Sequence, residues 1–236
     1  MQRVLFNHIG KCAGSTVNNY LKSCYPKEVQ FSTDGWHPGR SVSQFRMKTQ
    51  EQRYKYECIT GHATNQLLGF VHPDTKLVTV LRDPVERTIS NYWYMRQDKK
   101  HSCHRDAMRM SMLQMLRNRH PGLGSQMVSN LSGMKWERAE AHPANGKLAI
   151  DRAIRALGRY HLIGWVDDME AFGHALQRLL DLPKQWENRM DNRCLEKPTL
   201  SSVSDEEIQE IRKANHLDIR FYRRARSEFY QSAVES

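Results

Sequence analysis

The residues best suited to chemistry follow the apolar run 4–6 and read His8-Ile9-Gly10-Lys11-Cys12-Ala13-Gly14-Ser15-Thr16. A strand that leads into such a turn can hold a phosphate. Small residues let backbone N–H groups approach the anion, the lysine supplies charge, and the following helix adds its positive dipole end. The ATP-binding pattern G-x-x-x-x-G-K-[ST] is absent, because Lys11 precedes Gly14 instead of following it. The segment therefore predicts a phosphate-binding turn of a different design.

A second anion-binding candidate begins at Arg82, which directly follows the continuous apolar run 76–81. Ligands of open α/β sheets bind where strands end, and Ser90 lies in the helix expected after this strand. If that helix folds back beside the strand end, the planar fork of Arg82 and the hydroxyl of Ser90 converge on one anion. The alternative is that Arg82 pairs with Asp83 or Glu86 and that Ser90 is a small packing residue.

Composition restricts the classes of protein and partner. The chain has 236 residues and a formal net charge of +10, which favours an anionic partner: a nucleotide, a nucleic acid, a polyanionic sugar or an acidic lipid. No recognised nucleic-acid motif is present, so we expect no nucleic-acid partner. No stretch approaches the ~20 apolar residues that a membrane span needs.

The cysteines and the N-terminus bear on the compartment. Five cysteines without C-x-x-C spacing favour neither a disulfide framework nor a zinc site, and fit reduced thiols in a cytosol. Cys12 is either a catalytic thiol or, more simply, a small residue that fits the turn. The first strand is expected to start almost at Met1. Its apolar run, residues 4–6, is too short for the apolar region of a signal peptide.

Strands alternate with helices along the chain, which predicts an α/β fold with a small parallel sheet in one domain, residues 1–236. The expected strands are near 3–7, 57–60, 76–81 and 161–166. The expected helices are near 14–23, 84–99, 103–119, 147–158 and 167–180, with a final one from 204 to about 230 that is interrupted near 216–218. Residues 25–56 are expected to form a long loop with one short helix, 120–146 an irregular or broken helix, and 184–203 a loop.

Two segments together resemble one known family. "HIGKCAGST" is similar to H-I-P-K-T-A-G-T-S, and "LRDPVERTISNY" to L-R-D-P-x-E-R-x-x-S-x-Y, of sulfotransferases that use 3′-phosphoadenosine 5′-phosphosulfate (PAPS). The branch is that of the Golgi carbohydrate sulfotransferases, such as heparan sulfate 2-O-sulfotransferase, and their bacterial relatives. Three weaker similarities follow in the family's order: Thr60-Gly61-His62, the segment 163–169 and the segment 215–222.

The resemblance implies a P-loop-NTPase-like three-layer sandwich, in which a small central parallel sheet is flanked by helices. It implies that PAPS is the sulfate donor, that PAP is the product, and that no metal is needed. In the family the first segment holds the 5′-phosphosulfate and the second the 3′-phosphate. The residues carried over as cofactor-binding are Lys11, Cys12, Ala13, Gly14, Ser15, Thr16, Arg82 and Ser90.

Two residues receive catalytic roles by the same resemblance. Lys11 would follow the charge that develops on the leaving phosphate, and His62 would act as the base on the acceptor alcohol, most simply a carbohydrate hydroxyl. Glu57 and His37 are reserve candidates for the base, whereas His8 is expected to brace the turn. The sequence departs from the family pattern at two positions of the turn, where Gly10 replaces proline and Cys12 replaces threonine.

Several expectations are less specific. Residues 96–146 match no known segment and are expected to form an acceptor-specific helical insert. Tyr92 and Trp93 either stack on adenine or pack in the core, and Arg189 and Arg193 either contact the 3′-phosphate or bind the acceptor.

The alternatives to a sulfotransferase are another P-loop-like nucleotide kinase and a non-enzymatic polyanion-binding protein. We expect a bacterial cytoplasmic enzyme, and as the alternative a domain cut from a Golgi enzyme. The sequence does not predict the oligomeric state.

Overall fold

Five parallel strands form the sheet that carries the predicted turn. The computed structural model describes residues 1–35, 37–187 and 203–230. The strands are β1 (Val4–Asn7), β2 (Gln30–Ser32), β3 (Cys58–Gly61), β4 (Lys76–Leu81) and β5 (Leu162–Trp165), in the spatial order β2-β3-β1-β4-β5. All four residues of β1 are buried, as expected of a strand that parallel neighbours flank on both sides. The predicted α/β class with a small parallel sheet flanked by helices is confirmed.

The strand order marks β1 as the switch point of the sheet. Leu5 lies opposite Ile59 of β3 on one side and Leu77 of β4 on the other. Strands β2 and β3 extend the sheet on one side of β1, while β4 and β5 extend it on the other. Ligands of open α/β sheets bind at the carboxyl end of a strand at such a point, and the segment 8–16 leaves β1 there.

Twelve α-helices lie in the described part of the chain. They are α1 (Gly14–Cys24), α2 (Pro38–Met47), α3 (Gln50–Tyr54), α4 (Pro84–Gln97), α5 (His104–Arg109), α6 (Met112–Arg117), α7 (Gln126–Ser132), α8 (Trp136–Glu140), α9 (Pro143–Leu157), α10 (Met169–Leu180), α11 (Asp205–Ala214) and α12 (His216–Phe229). None of these helices is long and apolar enough to cross a membrane.

The chain divides into two units. The first contains residues 1–81 and the described residues from 157 to 187, and the second contains 82–156 and 203–230. The first unit carries the whole sheet, and its core forms where α1 and α10 pack on one face of the strands. Val17, Phe6 and Leu176 are at most 1 % exposed there. The second unit is helical, and its core includes Ile89, Met115 and Ile211.

The structure corrects the prediction for residues 25–56. They contain the edge strand β2 and two helices, α2 and α3, instead of a loop with one short helix. β2 has only three residues, too few for a recognisable alternation. α3 begins at a capping box, in which the Thr49 side chain accepts from Gln52 N–H and the Gln52 side chain accepts from Thr49 N–H.

Two other boundaries differ from the predictions. Residues 103–119 form two helices, α5 and α6, because Ser111 caps the start of the second with Gln114. The final helix is interrupted at Asn215, directly before the predicted place. The expected broken helix over 120–146 is confirmed by α7 and α8. The single domain over 1–236 and the acceptor role of residues 96–146 stay predictions.

Candidate active site

The segment 8–16 has the backbone of an anion-binding turn. Lys11 (φ 65°) and Ala13 (φ 55°) both adopt the left-handed conformation, which L-residues rarely take. Cys12 between them has a negative φ, and its N–H donates to the Ile9 carbonyl at 3.3 Å. Such alternation turns successive backbone N–H groups toward the inside of a turn and forms an anion-binding concavity. We call residues 8–16 the phosphate turn.

The phosphate turn ends at an uncapped helix N-terminus. Ala13 is the N-cap of α1, no side chain caps that end, and its first turn contains no acidic residue. The first N–H groups of a helix lack partners within the helix, so those of Gly14, Ser15 and Thr16 are available to an anion. The Ser15 and Thr16 hydroxyls make no hydrogen bond to any residue that the structure describes. This helix start is therefore suited to a phosphate or sulfate group.

Gly14 makes room for the His8 ring. A Cβ at position 14 would lie 1.8 Å from His8 Cδ2, much closer than any real contact, so only glycine fits. Gly10 is different, because its φ is negative and a Cβ there would meet no atom within 4 Å. Neither backbone conformation nor space requires glycine at the position where the family has proline.

Two stacked imidazoles lie beside the turn. The rings of His8 and His62 are parallel to within 24°, with their centroids 4.1 Å apart. His8 Nδ1 lies 3.2 Å from the side-chain nitrogen of Asn18 in α1. Burial, together with His62 and Lys11, lowers the pKa of His8 to about 3. The His8 ring therefore stays neutral and supports the turn by packing. With so low a pKa it is also a weak base at neutral pH.

His62 is oriented as a base. Its Nδ1–H donates to the His8 carbonyl at 2.9 Å, which leaves Nε2 as the unprotonated acceptor of the neutral ring. The strand β3 and the Thr33 hydroxyl, which donates to the His62 carbonyl at 2.7 Å, fix the backbone. Gly61 supplies the bend with φ 118°. Burial, and then the charge of Lys11, lowers the pKa of His62 from its ordinary value.

Lys11 lies close to both imidazoles. Its positive charge contributes to lowering the pKa of His8 and that of His62. The half-buried Lys11 is therefore a positive charge placed inside the turn, next to the best candidate for the base. The structure thus brings together Lys11, His62 and the start of α1, three of the features that the sequence predicts for the site.

The reserve candidates for the base lie elsewhere. Glu57 precedes β3, so it is at the opposite end of this strand from His62, and its carboxylate lies 3.9 Å from the Arg3 guanidinium. His37 is exposed at the start of α2. Neither side chain is placed with the turn. Cys12 is 1 % exposed and its thiol faces the Gly10 carbonyl at 3.7 Å, which favours the small residue that fits the turn over a catalytic thiol.

Arg82 begins the second unit and pairs with Glu86. Its Nε and Nη2 donate to one Glu86 carboxylate oxygen at 3.3 and 3.1 Å, one helical turn along α4. Asp83 is occupied as the N-cap of α4, where it accepts from the N–H groups of Val85 and Glu86. Ser90 is half-buried, and its hydroxyl has no hydrogen-bond partner among the described residues. The Glu86 pairing was one of the two sequence-based alternatives, and it holds the guanidinium next to a carboxylate.

A buried ionic network joins two motif segments of the second unit. Arg87 is 1 % exposed, and its Nη2 donates to the Gly124 carbonyl at 3.0 Å and to Asn215 Oδ1 at 3.3 Å. Its Nε lies 3.9 Å from Asp218, whose carboxylate accepts from the N–H groups at the start of α7. The motif similarity marked these residues without giving them a role. The network shows that Asn215 and Asp218 anchor the helices of this unit.

The aromatic residues after Ser90 belong to the core. Tyr92 is 5 % exposed and its hydroxyl donates to the Met110 carbonyl at 3.0 Å. Trp93 packs against the same cluster and makes an edge contact with Tyr92. Core packing therefore accounts for both, and stacking on adenine is not needed to explain them. Arg189 and Arg193 lie outside the described residues.

A metal centre is absent from residues 1–35, 37–187 and 203–230, in which no group of three or more His, Cys, Asp and Glu side chains could hold an ion.

A parallel sheet with an anion-binding turn at its switch point defines an α/β protein of the P-loop-like class. The family model described as "Sulfotransferase family" matches residues 1–223. The chain therefore belongs to the sulfotransferase family and is a sulfotransferase. No curated protein matches it. The family implies PAPS as the sulfate donor and a hydroxyl-bearing acceptor, so the kinase and the non-enzymatic polyanion-binding protein are set aside.

Proposed function

We propose that this enzyme transfers the sulfuryl group of PAPS to a carbohydrate hydroxyl, with Lys11 assisting the leaving phosphate and His62 acting as the base. The observation that carries the proposal is the cluster of Lys11, His62 and the uncapped start of α1. The cluster combines a cation and available backbone N–H groups of the phosphate turn with an unprotonated imidazole nitrogen beside it. In-line group transfer needs these three functions.

The residues of the phosphate turn fit the 5′ end of the donor. The N–H groups at the start of α1, with the Ser15 and Thr16 hydroxyls, would hold the phosphosulfate. When bound, PAPS supplies an activated sulfuryl group. Lys11 stabilises negative charge on the oxygen that leaves, because an ammonium in a largely buried turn is a strong electrostatic partner. Cys12 contributes to the shape of the turn, since its N–H and thiol are both engaged within it.

Proton transfer is assigned to Nε2 of His62. The Nδ1–H bond to the His8 carbonyl fixes the ring and its tautomer, so the lone pair of Nε2 is kept for the acceptor hydroxyl. His8 supports the arrangement from the other side by stacking on His62. A lowered pKa keeps His62 neutral at pH 7, which is the state that a base must have before the reaction.

The 3′-phosphate of the donor is assigned to Arg82 and Ser90. A guanidinium binds phosphate by two parallel hydrogen bonds, and the Ser90 hydroxyl has no partner among the described residues. Glu86 would orient the Arg82 fork in the absence of the ligand. A carbohydrate acceptor is favoured because that acceptor class dominates the branch which the two motifs resemble, and cytoplasmic location stays a prediction.

The decisive experiment measures transfer of labelled sulfate from PAPS together with calorimetric binding of PAP. Lys11→Ala is expected to lower kcat by roughly 10²–10³-fold and to keep measurable affinity for PAP. His62→Ala is expected to lower kcat by roughly 10²–10⁴-fold with PAP affinity unchanged.

The matched controls are Lys22→Ala, in the last turn of α1, and His174→Ala, an exposed residue of α10. Both should transfer sulfate like the parent enzyme. Full activity in His62→Ala would refute the base, and absence of any PAP binding in the parent enzyme would refute the donor site.

A further inference from the structure

The second unit contains a cavity of about 380 Å³ whose charged lining is almost entirely positive. Its lining residues come from the start of α4 and from α11 and α12. They are Asp83, Pro84, Val85, Arg212, His216, Ile219, Arg220, Tyr222 and Arg223. None of them is among the residues proposed for PAPS.

Three arginines of this cavity have no ion-pair partner among the residues that the structure describes. Arg212, Arg220 and Arg223 are exposed, and no carboxylate of the described chain lies within 4 Å of any of them. The one acidic lining residue, Asp83, accepts instead from two backbone N–H groups at the start of α4. The positive charge at the cavity is therefore not neutralised by the described part of the protein.

Several other cations of the same unit are paired. Arg224 contacts Asp151 at 2.8 Å and Glu228 at 2.7 Å, and Lys213 contacts Glu210 at 2.7 Å. A second cavity, of about 250 Å³, is lined by Lys213 together with Glu210 and by Arg119, which contacts Glu140 at 2.6 Å. The arginines and the lysine that line the second cavity are thus paired within the described chain, whereas the three arginines of the first cavity are not.

The cavity combines this charge with apolar walls. Pro84 is buried, and Val85 and Ile219 are half-buried, so they form a low-dielectric surface beneath the guanidinium groups. Low-dielectric walls strengthen the field of the charges that line them. A guanidinium fork binds sulfate or phosphate by two parallel hydrogen bonds. Several forks around one small cavity suit a ligand with several anionic groups.

We propose that this cavity binds a small oligoanion, one that carries clustered sulfate or phosphate groups on a body of about one sugar ring. Arg212, Arg220 and Arg223 would bind the anionic groups, and the apolar wall would contact the ring. Sulfate and phosphate groups share the recognition chemistry, so both kinds of ligand are compared in the test.

The test titrates the full chain by calorimetry with sucrose octasulfate and, in a parallel arm, with inositol hexakisphosphate. The triple variant Arg212→Gln, Arg220→Gln, Arg223→Gln is expected to bind the preferred probe at least about tenfold more weakly, a loss of about 1.4 kcal/mol. The matched control is Arg117→Gln, Lys213→Gln, Arg224→Gln, which removes the same charge from paired positions. It should bind within about twofold of the parent protein.

Three outcomes would overturn the proposal. Equal weakening in both triple variants would mean diffuse charge attraction, and undetectable binding of both probes to the parent protein would mean that no site exists. Displacement of the probe by saturating PAP would place these arginines in the donor site.

If the triple variant does not fold, Arg220→Gln alone should bind about threefold more weakly. PAP affinity should be equal in all of these variants, so the result is independent of the proposed donor site.

Discussion

The two units differ in the groups that they offer to an anion. In the first unit the phosphate turn relies on backbone conformation: two left-handed residues, an uncapped helix start and two neutral imidazoles. In the second unit, two of the arginines that carry positive charge are positioned by carboxylate partners. Arg82 pairs with Glu86 near the surface, and Arg87 pairs with Asp218 in the interior.

The difference indicates which changes each region tolerates. A site built from backbone N–H groups depends on sterics, so a methyl group in the wrong place weakens it even where no charge is lost. A site built from paired side chains depends on charge, so removing one partner leaves the other uncompensated.

The largest effect is expected at Arg87. Arg87→Met leaves the Asp218 carboxylate buried without its cation, and full burial already raises the pKa of that group. We expect the free energy of unfolding to fall by about 3–5 kcal/mol, measured by urea denaturation. The control is Arg117→Met, which removes an exposed pair with Glu206 and should cost less than about 1 kcal/mol. Equal losses in the two variants would contradict an anchoring role.

Arg82 is expected to act on the ligand instead of on stability. Arg82→Ala should weaken PAP binding by about 1.5–3 kcal/mol, because a charged hydrogen-bond donor is lost, and should leave binding of adenosine 5′-phosphate unchanged. Glu86→Gln should change PAP affinity less than about threefold, since the amide oxygen can still accept from the guanidinium. Calorimetry with both nucleotides checks this, and a similar loss for both would remove the 3′-phosphate assignment.

Gly14→Ala tests the phosphate turn, in which backbone N–H groups are the groups offered to the anion. A Cβ would meet the His8 ring at 1.8 Å, so the ring or the turn must shift, which costs about 1–3 kcal/mol. We expect the loss to appear in PAP affinity and in the melting temperature. Gly69→Ala is the control, because a Cβ there meets no atom within 4 Å. Parent-like PAP affinity in Gly14→Ala would show that the turn does not depend on this contact.

The sequence was sufficient to predict an element where its residue pattern is compatible with only one structure. The strand over 76–81 and the helix start at Pro84 each predicted an element that the structure contains, whereas the phosphate-binding role of Lys11 stays a prediction. The strand β2 was missed because a three-residue strand depends on tertiary contacts more than on local pattern. The break between α5 and α6 was missed although the capping box of Ser111 and Gln114 is a local pattern that the sequence contains.

The candidate site was predictable only in part for a similar reason. His62 could be found because it follows a strand and a glycine, but its stacking on His8 joins residues 54 positions apart. The anchoring role of Arg87 depends on Asn215, 128 positions along the chain. A polar residue of a motif looks the same in sequence whether it binds a ligand or satisfies a buried partner.

The smallest effect concerns the charge relation between Lys11 and His62. The Lys11 ammonium disfavours the imidazolium form, so Lys11→Met should raise the pKa of His62 toward its ordinary value of 6.5. Burial is the larger cause of the lowered pKa and stays in place, so the rise should be less than about one pH unit, equivalent to about 1.4 kcal/mol. NMR titration of the His62 imidazole in the parent enzyme and in Lys11→Met measures this rise. Lys22→Met is the control and should leave the pKa of His62 unchanged.

The same relation fixes the direction of the pH profile. Because the base must be neutral, kcat/KM of the parent enzyme should rise with pH through a pKa below 6.5 and then level off. A residue that only packs the turn would leave this limb in place when it is substituted. Loss of the limb in His62→Ala, together with its retention in His174→Ala, would assign the titration to His62. An acidic limb centred above 6.5 would contradict the lowering of the pKa of His62 by burial and by the charge of Lys11.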